Sequence, residues 1–268
     1  MKKNIMSIGG LLAGFVLIVI SINMSGNIKN FVSLSSVIIT LVGSFCALLV
    51  SFPLKNLLKI PSMLKLLMIS PQDNRKDLVT LFTNLSRKAR KDGLLALEDD
   101  INTIEDDFLV SGLQMVVDGV EPDAIRDIML LKLDTAERRH KIGQDIFLKW
   151  GELAPAFGML GTLIGLIIML ADLNDASSIG TGMATALITT FYGSLFANLV
   201  FLPIASNLSV QTEEEMFTRQ MVIEGIIEIQ AGTNPRILEE KLMTYLSPSE
   251  QQMLKDDKEN KKEAESHE

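Results

Sequence analysis

The chain has 268 residues with a formal net charge of −8, and 47% of its residues are apolar. The negative charge argues against nucleic acid as a partner. The single cysteine, Cys46, rules out an intrachain disulfide or a cysteine-based metal site, and the two histidines are too far apart for a zinc-binding spacing. No glycine-rich phosphate loop and no nucleophile–base arrangement occurs in the sequence, so we expect no enzyme, cofactor or metal site.

Four uncharged apolar runs indicate membrane-spanning helices, at residues 5–22, 32–52, 153–171 and 179–206. A hydrocarbon core of about 30 Å requires roughly 20 helical residues at about 1.5 Å each, and every run is close to this length. The sequence therefore predicts an all-α membrane protein with four transmembrane helices.

Lysine and arginine flank the predicted spans unevenly. The turn between the first two spans carries only Lys29, and the turn between the last two carries no cation. The other ends of the spans are rich in cations: Lys2, Lys3, Lys55, Lys59, Lys65, Arg138, Arg139, Lys141 and Lys149. Because loops rich in lysine and arginine stay in the cytoplasm, we expect both termini and the large middle loop to be cytoplasmic.

The first half of the chain divides into three predicted segments. Residues 1–53 hold the first two spans. Residues 54–70 form an interfacial amphipathic helix against membrane lipid, because leucine and methionine alternate with lysine at helical spacing, and Pro61 should break or kink it. Residues 71–121 form a cytoplasmic helical domain with helix ends at Gly93 and Gly119.

The second half is predicted to form a long hairpin. Residues 122–206 contain a helix that starts at Pro122 and continues through span three for about 50 residues, then an outer turn and span four. Spans three and four thus extend into the cytoplasm, the latter through a helical extension at 207–246 that is interrupted by a stop around Gly232. Residues 247–268 are rich in lysine and glutamate without aromatics, which predicts a disordered tail.

Small residues recur every three or four positions on spans three and four. Gly158, Gly161 and Gly165 share one face of span three, and Gly182 and Gly193 share one face of span four. Such faces let helix backbones approach closely where lipid gives no hydrophobic drive for association. We therefore expect these five glycines to serve helix packing.

Thr162, Thr189 and Thr190 lie on the same small-residue faces. A threonine in a membrane helix commonly bonds to its own i−4 carbonyl, so these hydroxyls either serve packing or line a polar path. None of the four runs contains Asp, Glu, Lys, Arg or His, whereas proton-coupled machines usually place an ionisable residue within the membrane. If the chain moves ions, a partner supplies the carboxylate; otherwise it has a structural or assembly role.

Four long motifs occur along the chain: ARKDGLLALE at 89–98, APAFGMLGTLIGL at 154–166, MATALITTFYG at 183–193 followed by Pro203, and IIEIQAGTNPRILEEKL at 226–242. Together they resemble the MotA/PomA family, the membrane proteins that form the outer part of the bacterial flagellar stator. The resemblance covers nearly the whole chain. The alternatives are the related ExbB/TolQ proteins, which have three spans and an outward N-terminus, and a non-conducting membrane scaffold.

The resemblance implies a function in the bacterial inner membrane. Five MotA-type chains would surround two chains of the MotB type, the stator's B subunits, which are single-span proteins that bind peptidoglycan and bring an aspartate into the membrane. Ion flow through that aspartate would rotate the outer chains around the inner ones and turn the rotor of the flagellar motor.

The same resemblance assigns roles to particular residues. It makes Pro155 and Pro203 torque or gating prolines, and it places Arg90 and Glu98 at the contact with the rotor switch protein. It also implies that Thr162, Thr189 and Thr190 face the ion path. The alternatives are a simple helix kink at each proline and solvated helix-end charges at Arg90 and Glu98.

The coupling ion follows from the oxygen ligands that the spans offer. Sodium would need several oxygen ligands, and the threonine hydroxyls make such a site possible. A proton needs only the carboxylate and a polar path. Because nothing else on the four spans adds oxygen ligands, the sequence favours protons over sodium.

Overall fold

The computed structural model describes residues 5–66, 74–171 and 173–256. Within these ranges no strand occurs, so the described chain is all-helical. The chain divides into two compact units: a first unit of Met1–Ser70 and Arg138–Thr212, and a second unit of Pro71–Glu137 and Glu213–Glu268.

The helices have the following bounds in chain order. They are α1 (Ile5–Ser25), α2 (Leu34–Val37), a π-helical segment π1 (Ile38–Val42), α3 (Gly43–Ser51), α4 (Leu54–Leu57), α5 (Ile60–Leu66), α6 (Arg75–Asp92), α7 (Glu98–Ile101), α8 (Asp107–Val117), α9 (Pro122–Ala171), α10 (Ala176–Phe196), a second π-helical segment π2 (Ala197–Phe201), α11 (Leu202–Gln230) and α12 (Pro235–Met243). Short 3-10 turns occur at Ile28–Phe31 and Leu94–Leu97.

Three helical stretches are long and apolar enough to cross a membrane: Ile28–Ser51, Pro122–Ala171 and Ala176–Gln230. They carry the second, third and fourth predicted spans. The first predicted span falls in α1, whose Gly9–Ser25 part is a shorter apolar helix. The fourth membrane crossing therefore stays a prediction.

The long helix predicted from Pro122 is confirmed, since α9 runs for 50 residues with Pro155 inside it. The three predicted glycine stops are also confirmed. Gly93, Gly119 and Gly232 have φ values of 89°, 74° and 67°, and no other described residue has a positive φ. Glycine adopts this left-handed conformation without the steric cost that a side chain would bring.

The helix predicted at 54–70 is broken within its described part, but the break does not lie at Pro61 as predicted. Two short helices, α4 and α5, replace it, with the break at Leu58 and Lys59. Pro61 does not break a helix but lies at the second position of α5. A proline is tolerated there because the first N–H groups of a helix have no partner within it. Residues 67–70 lie outside the described residues.

The disordered tail predicted at 247–268 is wrong for residues 248–256, which are helical. Ser247 and Glu250 form a capping box: the Ser247 N–H donates to Glu250 Oε2 at 2.7 Å, and the Glu250 N–H donates to Ser247 Oγ at 3.4 Å. Leu254 is 6% exposed and packs in the core of the second unit. Composition alone missed a cap and a single anchoring side chain; residues 257–268 lie outside the described part.

Side chains from several helices form the apolar core of the second unit. Each of α6, α8, α9, α11 and α12 contributes side chains that are 0% exposed, among them Phe82, Leu113, Met129, Ile226 and Leu238. Burial of each such side chain stabilises the fold by about 1.5–3 kcal/mol. This core fixes the end of α6 and the 3-10 turn that follows it.

In the first unit, α9 and α10 approach so closely that no side chain fits between them at several points. A methyl group on Gly193 would lie 2.7 Å from the Ala154 carbonyl oxygen, and one on Gly158 would lie 3.0 Å from the Thr189 carbonyl oxygen. Two further turns along, a methyl group on Gly165 would lie 2.5 Å from the Gly182 carbonyl oxygen.

The reverse contacts follow the same pattern. A methyl group on Gly182 would lie 2.6 Å from the Gly165 carbonyl oxygen, and one on Gly161 would lie 2.5 Å from Thr189 Cβ. The five glycines that share the small-residue faces therefore all lie at the contact between α9 and α10. Backbone-to-backbone packing of this kind is the way that membrane helices associate through small residues.

We predict that Gly193→Ala destabilises the chain by about 1–3 kcal/mol, because the added methyl group overpacks a contact with backbone atoms that cannot rotate away. Thermal unfolding of the purified protein in detergent measures this change. Gly180→Ala on the same helix is the matched control, since no atom lies within 4 Å of its added methyl group. Equal stability of the two variants would contradict the packing role.

A charge cluster joins α12 to α11 in the second unit. The Lys241 ammonium contacts Glu224 and lies 2.6 Å from Glu228 Oε1, while Arg126 lies 3.9 Å from Glu224. Hydrogen bonds to Glu224 and then to Glu228 raise the pKa of Lys241 above its usual value, against the smaller opposing effect of burial. The charged form of Lys241 is therefore favoured in the folded state.

Because the pKa of Lys241 is higher in the folded state, its contribution is complete below its unfolded pKa of about 10.4 and is lost as pH rises through the folded value. We predict that Lys241→Met lowers stability at neutral pH by about 1 kcal/mol or less, since the side chain is 46% exposed. The deficit should shrink above about pH 10.4. Circular dichroism melts between neutral and alkaline pH measure both effects. Arg236→Gln is the control because Arg236 pairs with Glu240 only at 3.9 Å and is 88% exposed; a deficit that does not depend on pH would contradict the assignment.

Candidate functional site

Thr162 and Thr190 form a pair of hydroxyls across the contact between α9 and α10. Their Oγ1 atoms contact each other directly. Thr162 Oγ1 lies 3.1 Å from the Ala186 carbonyl oxygen and 3.2 Å from that of Gly158. Thr190 Oγ1 lies 3.2 Å and 3.4 Å from the same two oxygens. Each of the two hydroxyls can therefore donate to either carbonyl oxygen or to the other hydroxyl.

The pair is open to its surroundings on one side. Thr190 is exposed and Thr162 is half-buried in the single chain. Because each hydroxyl has one proton and two lone pairs, rotation about the side-chain bond offers either a donor or an acceptor to a group that approaches this surface. The arrangement suits a polar group that gains or loses a proton.

Thr189 is oriented differently from its neighbour. Its side chain is 0% exposed and packs against Gly161. Its hydroxyl donates within its own helix, to carbonyl oxygens of Thr185 at 2.8 Å and Ala186 at 3.0 Å. Successive helical residues point about 100° apart, so the structure brings Thr162 and Thr190 together and leaves Thr189 inside the helix contact.

The two prolines lie in continuous helix. Pro155 is half-buried, and its Cα would lie 3.1 Å from a methyl group on Gly193, so it flanks the close contact of α9 with α10. Pro203 is exposed and is the second residue of α11, immediately after π2. Each proline lacks the N–H that would close a helical hydrogen bond. Both positions are therefore local weak points in the hydrogen-bond ladder.

Charged groups lie beyond the ends of the two spans. The runs 153–171 and 176–206 contain no Asp, Glu, Lys, Arg or His. At one end Lys149 pairs with Glu152 at 3.0 Å, and at the other Asp175 caps α10 by accepting from the Ser177 N–H at 2.9 Å. Across the described ranges, no group of three or more potential metal ligands occurs.

Arg90 and Glu98 lie at the surface of the second unit, Arg90 in the last turn of α6 and Glu98 at the start of α7. Neither forms an ion pair with another residue of the described part of the chain. Between them, Leu97 is 0% exposed and anchors the turn, whereas Leu95 is 71% exposed. Both charges are therefore free to meet another protein.

A bridge that the sequence did not reveal holds this region together. Lys88 Nζ donates to Asp100 Oδ2 at 2.7 Å, which joins the end of α6 to α7. That hydrogen bond to Asp100 raises the pKa of Lys88. The twelve-residue separation matches no helical spacing, so the pairing depends on the turn at Gly93 and has no signal in the sequence.

Known proteins resemble this chain over most of its length. The model of the MotA/TolQ/ExbB proton channel family matches residues 100–221. Motility protein A of Borreliella burgdorferi is 46% identical over 252 residues, which cover 94% of this chain and 97% of that protein. Chemotaxis protein PomA of Vibrio alginolyticus is 34% identical over 238 residues, which cover 89% of this chain and 93% of that protein.

A solved structure gives the same result for the fold. The flagellar MotAB stator complex from Bacillus subtilis contains a chain that matches with a TM-score of 0.86 at 30% identity, over 92% of this chain and 97% of that one. The matched family model is shared with TolQ and ExbB, whereas the two relatives named above match over nearly their full length and are motility proteins. The chain therefore belongs to the MotA/PomA family of motility proteins, within the MotA/TolQ/ExbB proton channel family.

Proposed function

We propose that the chain is the MotA-type component of a flagellar stator, which couples proton flow across the bacterial inner membrane to torque on the rotor. Family membership supports the stator function and the ion coupling. The observation that carries the finer proposal is the Thr162–Thr190 hydroxyl pair, an exposed polar point on two spans that contain no ionisable group.

Because the two spans contain no ionisable group, we assign the carboxylate that carries the proton to a partner protein. A single-span protein of the MotB type brings an aspartate to the surface formed by α9 and α10. Placing an ionised carboxylate against apolar helix faces is costly unless hydrogen-bond donors contact it. The ionised aspartate therefore binds beside Thr162 and Thr190, where two hydroxyls can donate to it. Once protonated it is neutral and can move past the apolar surface. Proton binding and release thereby control movement of the partner helix relative to this chain.

The threonines take different roles in this proposal. Thr162 and Thr190 line the ion path because their hydroxyls share acceptors at an exposed position. Thr189 serves helix packing, since its buried hydroxyl is bonded within α10 and its side chain fills the space beside Gly161. Pro155 and Pro203 act as flexible points, because each lacks one helical hydrogen bond.

The arrangement in the membrane follows the same proposal. Five copies of the chain surround two MotB-type proteins, each copy crosses the membrane four times, and both termini lie in the cytoplasm. The charge bias of the loops supports this orientation. The second unit, with Arg90 and Glu98 exposed, then faces the rotor switch protein.

We predict that Thr190→Val lowers proton flux and torque about ten-fold or more at low ion-motive force, because one hydrogen bond to an ionised carboxylate is worth about 1.5–3 kcal/mol. The change removes the hydroxyl but keeps the branched shape. Thr189→Val is the matched control and should keep normal speed. Rotation of tethered cells and flux into proteoliposomes measure the effect.

The same assay identifies the ion. Rotation should continue in sodium-free buffer and stop when a protonophore is added. Rotation that stops without sodium and survives the protonophore would reject proton coupling. A purified complex with the MotB-type protein that passes no ion, together with normal motility after deletion of the gene, would instead indicate a scaffold.

We predict that Arg90→Glu reduces swimming strongly while Arg90→Ala has a mild effect, because an exposed ion pair contributes about 0–1 kcal/mol and a reversal adds repulsion. Membrane levels of the protein should stay normal, and a compensating charge reversal on the rotor should restore swimming. Arg236→Glu, at an exposed position on α12, is the control. Full swimming by the Arg90→Glu, Glu98→Lys double variant would reject this rotor contact.

A further inference from the structure

The first unit contains an apolar groove of about 410 Å³, whose lining does not include the threonine pair. One wall comes from span two, with Leu41, Val42 and Phe45, and the opposite wall comes from Phe196, Val200 and Phe201. Trp150 of α9 completes the lining. Every lining side chain is apolar or aromatic.

The one polar atom among these side chains already has a partner. The Trp150 indole N–H donates to Ser44 Oγ at 3.1 Å, and the Ser44 hydroxyl donates to the Leu41 carbonyl oxygen at 3.1 Å. The indole ring stacks on Phe201 with centroids 4.1 Å apart and lies 5.5 Å from Phe45. The groove therefore offers no hydrogen bond and suits only an apolar ligand.

Both π-helical segments of the described chain meet at this groove. Leu41 and Val42 belong to π1, and Val200 and Phe201 belong to π2. A π-helical turn interrupts the regular helical bonding and is frequent at functional sites. Because two such turns line the same groove, we infer that the groove has a function and is not a chance packing defect.

Two exposed lysines, Lys55 in α4 and Lys59 just after it, belong to the same unit. Lys55 and Lys59 are exposed and form no ion pair with other residues of the described ranges, and they alternate with Leu54 and Leu58, which are 62% and 72% exposed. The next residue, Ile60, packs into the same apolar clusters as Trp150. Exposed leucines beside unpaired lysines are typical of a segment at the surface of a membrane with anionic headgroups.

We propose that the groove binds one acyl chain of an anionic phospholipid, whose phosphate is held by Lys55 and Lys59. The apolar lining favours an acyl chain, and the two lysines favour a negatively charged headgroup. A helix from a second copy of this chain would fill the groove without needing the two lysines. Only the assignment of the lipid to the inner leaflet rests on the function proposed above.

The test uses the purified complex with its MotB-type partner in mild detergent, titrated with phosphatidylglycerol or phosphatidylcholine and examined by native mass spectrometry. The wild-type complex should retain phosphatidylglycerol in preference. Val42→Trp should fill the groove and remove retention of both lipids, whereas Val50→Trp, at a 90% exposed position on the same span outside the lining, should retain them. Val200→Phe repeats the test from the opposite wall.

Lys55→Gln with Lys59→Gln should weaken phosphatidylglycerol binding by roughly 30-fold, or about five-fold for each lysine near the membrane surface. It should weaken phosphatidylcholine binding much less, because the choline cation makes that headgroup neutral overall. Wild-type retention in both groove variants, or an unchanged lipid preference in the lysine variant, would overturn the proposal. Loss of the oligomer in Val42→Trp and Val200→Phe but not in Val50→Trp would assign the groove to a second copy. A complex that retains lipid but passes no ions would contradict the stator function alone.

Discussion

The close approach of α9 and α10 is the constraint on which the rest of the first unit depends. Five glycines remove the side chains that would separate the two backbones, and carbonyl oxygens of one helix lie where a methyl group of the other would be. Only at this separation can the hydroxyls of Thr162 and Thr190 reach the same two carbonyl oxygens. The polar point on the surface is thus a product of the packing, and neither threonine would create it alone.

The two spans also contain no charged side chain. An unpaired ionised group in the hydrocarbon region would be costly in the chain before assembly, so a protein that contributes only hydroxyls stays stable by itself. The charges of the second unit follow the opposite rule, because Arg90 and Glu98 are exposed and water solvates them.

The sequence predicted features that depend on local periodicity and on special residues. The 50-residue α9, the positive φ at Gly93, Gly119 and Gly232, and the glycine faces all follow from the spacing of residue types. Other features depend on three-dimensional contacts. The sequence could not distinguish Thr189 from Thr190, because their burial depends on the partner helix, and the Lys88–Asp100 bridge depends on a turn. The helix at 248–256 had a capping box in the sequence, but the charged composition of the tail obscured it.

The shared acceptors of Thr162 and Thr190 have a mechanical consequence. Two protons distributed over four nearly equivalent contacts can reverse the direction of the hydrogen-bond chain by rotation of two hydroxyls, with no displacement of a heavy atom. Such a reversal is fast and produces no work by itself. A larger movement would therefore need a second, slower element. Regular helical bonding is already interrupted at π2 and Pro203, on the helix that continues from α10.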